Sequence, residues 1–109
     1  MATKANLKID QGTDFSTSIT LTDDDNDPVD LSSYTGEGQI RKYYTSTSAV
    51  DWSVSLGGNT GVVTISLTAN TTNNIAAGRY VYDIEITNAA GIVSRILEGI
   101  VTVTPGVTR

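Results

Sequence analysis

The sequence predicts an all-β fold, a two-sheet antiparallel β-sandwich of seven to eight short strands with one helical turn. Three observations carry that expectation. First, apolar and polar residues alternate with a period of two, most cleanly where Tyr80, Tyr82, Ile84 and Ile86 interleave with Arg79, Val81, Asp83, Glu85 and Thr87. Second, turn-forming clusters such as Gly57-Gly58-Asn59-Thr60-Gly61 and Asn88-Ala89-Ala90-Gly91 punctuate such runs at short intervals. Third, 109 residues without a cysteine make one domain, residues 1–109, whose core must hold it without disulfides.

Taken in order, residues 1–6 show no core pattern and read as an N-terminal arm. Leu7 and Ile9 begin a short strand that stops at Gln11-Gly12. Phe15, Thr17, Ile19 and Leu21 alternate with Ser16, Ser18 and Thr20 in a second strand. The acidic loop Asp23-Asp24-Asp25-Asn26-Asp27-Pro28 follows, and Val29-Asp30-Leu31 is expected to make a brief edge pairing. Tyr34 to Lys42 forms the next strand, with Tyr34, Gly36, Gly38 and Ile40 facing inward. Glycines inside a strand leave room for a large neighbour, and Trp52 is the candidate to fill it. After a polar loop from Tyr43 to Ala49, Val50, Trp52, Val54 and Leu56 define one strand, which turns through Gly57–Gly61 to Val63, Ile65 and Leu67.

Thr68 to Ile75 reads as one helical turn capped by Thr68. It leads into the strand at Tyr80, where the crossover resembles the corner at which an immunoglobulin-type sandwich ties a Tyr hydroxyl to the connecting backbone. Either Tyr80 or Tyr82 is placed to make that tie. In the last run, Val93, Leu97, Val101 and Val103 hold one phase and Ile92, Ile96 and Ile100 the other. Either both faces are covered there or a bulge near Gly99 switches the phase. Pro105-Gly106 ends the strand and begins a tail over 105–109.

Composition narrows the function. The absence of His and Cys removes the commonest general base and the usual soft-metal ligands. A net charge of −5 opposes nucleic acid as a partner. No apolar run approaches the ~18–20 residues that span a bilayer, and the N-terminus carries no signal-peptide pattern, so synthesis in a cytoplasm without export by that route is expected. No cofactor and no small-molecule substrate are implied.

Three constellations remain. Asp23, Asp25 and Asp27 have the spacing of the first three ligands of a calcium loop, but Pro28 and Tyr34 stand where a Gly and a bidentate Glu are required. A solvated turn whose side chains bond the local backbone explains the same residues. Arg41-Lys42-Tyr43-Tyr44 sets two cations beside two aromatic rings, a pattern that stacks bases or meets a partner protein. On an acidic chain the expected roles are a strand end with Arg41 paired to Glu85 or Asp83, and tyrosines contacting a partner. Asp83 and Glu85 share one face of one strand, yet a small sandwich offers no evident cleft in which paired carboxylates could work. A serine triad lacks its His, Gly57–Gly61 lacks the phosphate-loop ending, and no enzyme is expected.

The order of blocks carries a resemblance. Ile9-Asp10-Gln11-Gly12, Pro28-Val29-Asp30-Leu31, Gln39-Ile40-Arg41-Lys42, Ala77-Gly78-Arg79-Tyr80-Val81-Tyr82-Asp83 and Leu97-Glu98-Gly99 follow one another along nearly the whole chain. In this the sequence resembles a family of small virion proteins of tailed bacteriophages of the marine and cyanobacterial type. It is also similar in layout to the N-terminal immunoglobulin-like domain of phage upper-baseplate proteins. The resemblance implies a non-enzymatic module located in the virion. It would dock in several symmetry-related copies on the tail, neck or baseplate, through strand edges and termini. The expected contacts are Arg41, Lys42, Tyr43, Tyr44, Pro105, Val107 and Arg109, and deleting residues 1–6 or 105–109 should weaken assembly without unfolding the domain. The rival expectations are a capsid decoration or cement protein, and a carbohydrate- or calcium-dependent module binding the host surface.

Overall fold

The computed structural model describes residues 3–107. Among them, nine strands build two sheets that pack face to face: β1 (Thr3–Lys4), β2 (Leu7–Asp10), β3 (Phe15–Thr20), β4 (Thr35–Arg41), β5 (Val50–Asp51), β6 (Ser53–Leu56), β7 (Val62–Leu67), β8 (Gly78–Thr87) and β9 (Val93–Thr104). The larger sheet runs β1-β9-β8-β4-β5, with β2 following β1 along β9, and the smaller runs β3-β7-β6. Ile9, Ile40, Ile65, Ile84 and Val101, at most 2% exposed, fill the space between. The fold is the expected β-sandwich.

The long hairpin of β8 and β9 is its spine. Tyr82, Ile84 and Ile86 are buried, and their intervening neighbours face outward. The register with β9 slips between Ile84 and Glu85: Ile84 lies opposite Leu97, but Glu85 lies opposite Arg95. The extra residue is Ile96, so Ile96 and Leu97 are both buried. The bulge expected near Gly99 thus sits three residues earlier. Gly99 has another task. A Cβ there would collide with the Ala5 carbonyl, because the N-terminal strand crosses β9 at that point.

That N-terminal strand departs from the wholly antiparallel expectation. Residues 3–10 run parallel to β9 in one register, from Thr3 opposite Leu97 to Asp10 opposite Thr104, with a break at Ala5-Asn6. At the break the Ala5 amide donates to the Glu98 carbonyl at 2.9 Å, the Asn6 side chain accepts from the Ile100 amide, and the Tyr82 hydroxyl donates to the Ala5 carbonyl at 2.6 Å. Residues 3–6 are therefore not a free arm but the edge of the larger sheet. The polar sequence Thr-Lys-Ala-Asn hid this, because a strand on the rim needs few apolar residues.

The stretch read as one strand from Val50 to Leu56 is two. β5 pairs with β4 in one sheet, β6 pairs with β7 in the other, and Trp52 sits at the switch. Its ring is buried between Phe15 and Tyr82, with ring centroids 5.8 and 5.9 Å away. Trp52 fills the room over Gly38, as expected, together with Ile84. The room over Gly36 goes instead to Val54 and Leu56. Val29–Leu31 forms no strand, but the Val29 amide donates to Leu21, the Leu31 amide to Gly58, and Leu31 is buried.

The helical turn is α1 (Ala69–Asn73), and Thr68 caps it by accepting from the Thr71 amide. The fully buried Thr72 accepts from the Gly12 amide, while its own hydroxyl faces the Thr13 and Ala69 carbonyls. Tyr80 ties the following corner: its hydroxyl donates to the Ala76 carbonyl at 2.6 Å. Among the described residues no helix is long and apolar enough to cross a membrane.

Candidate functional site

The outer face of the larger sheet is the surface with the most to offer a partner. β4, β8 and β9 lie side by side there, and the turn after β4 rises at one end of the face. Tyr43 and Tyr44 on that turn are 66% and 82% exposed. The turn is nonetheless held. The Ser46 amide donates to the Tyr43 carbonyl, the Tyr43 amide to the Ser46 hydroxyl, and the Arg41 guanidinium to the Ser46 carbonyl. Arg41 also donates to the Gln39 side chain at 2.7 Å. It therefore braces the turn instead of pairing with Glu85 or Asp83. The turn's backbone carbonyl lies within reach, while Asp83 is taken by Arg95.

Two grooves open on either side of Val81. One, of about 310 Å³, runs beneath Tyr44 past Gln39, Arg41, Asp83, Glu85, Arg95 and Glu98. The other, of about 400 Å³, lies beneath Tyr43 with Lys42, Arg79, Tyr80 and Ile100. In the second, the Lys42 ammonium stands 4.8 Å from the centre of the Tyr80 ring and donates to the Arg79 carbonyl. This cation–π contact and the corner bond from the Tyr80 hydroxyl fix the ring from two directions.

The electrostatics of the face are uneven. Arg95 meets Asp83 at 3.3 Å and Glu98 at 3.6 Å, both half-exposed pairs that contribute at most about 1 kcal/mol each. Glu85 stands across from Glu37 on one side and Arg95 on the other. Carboxylates directly opposite one another repel, so the centre of the face carries unbalanced negative charge while its Tyr43 end carries Lys42 and Arg79. Beneath the face, burial pushes the Tyr82 phenol up to about 12.

The other sequence candidates fall elsewhere. Asp23, Asp25 and Asp27 do converge, with one oxygen of each within 4.8 Å of the others, and all three are exposed. One Asp23 oxygen is already committed: it accepts from the amides of Asp25 and Asp27 at 2.9 and 3.0 Å. Asn26 closes the same loop in the left-handed region, with φ of 64°. Pro105 and Val107 are exposed, and the Gly106 amide between them donates to the Gln11 side chain. Arg109 lies outside the described residues. Gln39, Arg95 and Glu98 line the first groove without having been singled out from the sequence. Val81 and Ile100 were detectable as apolar residues on a polar face.

No protein-family model and no curated protein sequence matches the chain. Solved structures do. An internalin-like protein of Listeria monocytogenes superposes with a TM-score of 0.50 at 17% identity, over 94% of this chain and 28% of that one. A family 123 glycoside hydrolase from Clostridium perfringens superposes at 0.44 and 11% identity, over 97% of this chain and 24% of that one. The chain spans about a quarter of the length of each. At such identities the first likeness speaks for the fold alone: this chain is a β-sandwich of a kind that also occurs as one part of a larger protein.

Proposed function

We propose that the chain is a non-enzymatic structural protein of a bacteriophage virion, docking in several copies on the tail, neck or baseplate. The observation that carries the docking reading is the braced turn. Two tyrosines that stay exposed on a hydrogen-bonded loop, flanked by Arg41, Lys42 and Arg79, have the composition and rigidity of an interface centre. Placement in a virion rests on the block order of the sequence. The face also suits docking better than chemistry, because the groove that Asp83 and Glu85 line lies open on the outside of the sheet and Asp83 is held by Arg95. The test is mass spectrometry of purified particles. The chain should be present in multiples of the particle symmetry, and Y43A/Y44A should lose incorporation at an unchanged melting temperature. Absence from the particles, or undiminished incorporation of the double variant, would overturn the proposal. Copies in the hundreds would point to capsid decoration instead.

A second reading, a calcium-dependent module for the host surface, is favoured by the convergence of Asp23, Asp25 and Asp27. Calorimetry with calcium decides it: no heat and no shift in melting temperature would remove it.

A further inference from the structure

A sheet edge offers unpaired N–H and C=O groups to any extended chain, and folded proteins blunt such edges with charge, proline, bulges or brevity. The described edges of this molecule differ in how they are blunted. β5 is two residues long and ends in Asp51. β1 and β2 carry Lys4, Lys8 and Asp10 and are interrupted between. The part of β9 ahead of its pairing with β1 holds Arg95 and the Ile96 bulge. β6 is four residues long and leans on β4 of the other sheet. β3 has none of these devices. Its six residues, Phe15-Ser16-Thr17-Ser18-Ile19-Thr20, hold unbroken register with β7 on one side and meet no strand on the other.

The surface beside that edge is also free of charge. The outward residues of β3, β7 and β6 are all Ser, Thr or Val. The opposite face of the molecule carries Glu37, Arg41, Asp83, Glu85 and Arg95. A chain of net charge −5 repels its own copies, and this neutral side is where that repulsion is weakest.

We propose that β3 pairs antiparallel with β3 of a second copy about a two-fold axis at Ser18, joining the two three-stranded sheets into one of six. The strand is complementary to itself in that register. Ser18 meets Ser18, Ser16 meets Thr20 on the outer face, and Thr17 meets Ile19 on the inner face. A slip of one residue would set hydroxyls against the core side and is disfavoured. The pairing names one contact in the multi-copy assembly proposed above, but it is a property of the isolated chain and is tested without the particle. A six-residue strand pair buries less than the ~1,200–2,000 Å² of a standard stable interface. The contact is therefore weak in dilute solution and gains strength where other contacts already hold the copies together. At the ends of the pair Asp14 approaches the 23–27 loop of the other copy, so salt should tighten the association.

Sedimentation equilibrium of the full chain over a concentration series tests this. A reversible monomer–dimer equilibrium that tightens with salt is expected. S18K, which brings two lysines together on the axis, should weaken it at least about tenfold. S55K, on β6 of the same face, should leave it unchanged. T20K serves if S18K fails to fold by circular dichroism. A monomer at every concentration, or a dimer indifferent to S18K and T20K, would overturn the pairing. Equal loss from S55K would replace it with face-to-face stacking, and loss from Y44A alone would move the contact to the other sheet.

Discussion

Trp52 joins the two sheets by packing between Phe15 of one and Tyr82 of the other, and Tyr82 ties the larger sheet to its own N-terminal strand. The Tyr82 hydroxyl donates to the Ala5 carbonyl, so Y82F should cost about 1 kcal/mol near neutral pH, since one hydrogen bond is lost and a carbonyl is left without its donor. Its pH signature is more specific. The folded phenol is pushed up to about 12, whereas in the unfolded chain it ionises at about 10. Between those values the unfolded chain has released the proton and the folded chain has kept it. Stability is therefore intact below about pH 10 and falls as the pH rises toward 12. Urea melts at stepped alkaline pH should show that decline in the parent and a shallower one in Y82F; parallel curves would refute it. Trp52 is 5% exposed, and its indole N–H finds no acceptor. W52A should cost about 3–5 kcal/mol through the cavity it leaves. W52F should cost much less, because the phenyl ring refills most of the site and the indole N–H it removes has no hydrogen bond to lose. Equal losses in denaturant melts followed by circular dichroism would show that a phenyl ring does not refill the site.

At the scale of elements, alternation along the chain identified the strands well, and what it missed was pairing. Tyr80–Ile86 and Val63–Leu67 bury the faces their spacing indicates, and Thr68 caps the turn it was expected to cap. Periodicity is indifferent to which sheet a strand joins, so the switch at Trp52 left no trace: inward residues on either side of it keep their period of two. The parallel strand at residues 3–10 was hidden for a different reason, since its partner lies some ninety residues away and its rim position demands little hydrophobicity. Gly99 tests that strand. G99A drives a methyl group into the Ala5 carbonyl, and should cost about 1–3 kcal/mol through displacement of the first strand. Hydrogen exchange should show amides of residues 97–102 losing protection first. Deletion of residues 1–6 should do the same, contrary to the sequence-based expectation that the domain tolerates it. A G99A protein with the parent's stability and exchange pattern would mean that the crossing is loose.

Viewed whole, the molecule is a slab of 45 × 28 × 20 Å with two dissimilar sides. One is charged, grooved and crowned by two tyrosines; the other is flat, neutral and hydroxyl-rich. The acid-base content of the sequence was plain, but its segregation was not, because it depends on which strands share a sheet. Arg41 illustrates the limit. Its charge and its neighbours Tyr43 and Tyr44 marked it for a surface role, yet the partner it takes is a backbone carbonyl five residues on, which no pattern of side chains announces. Arg95 was passed over as part of an apolar run and supplies the ion pairs of the face.

The parallel pairing of the first and last strands also sets how the molecule meets force. The chain enters beside Leu97 and leaves beyond Thr104, at opposite ends of the same strand pair. Tension between Thr3 and Val107 would drag residues 3–10 one way and β9 the other, along their common axis. Their backbone hydrogen bonds would then be loaded together in shear rather than peeled one by one. In single-molecule pulling the domain should hold to a high, sharp rupture force when drawn from its ends. It should yield at a much lower force when drawn through the β8–β9 hairpin, which opens like a zipper.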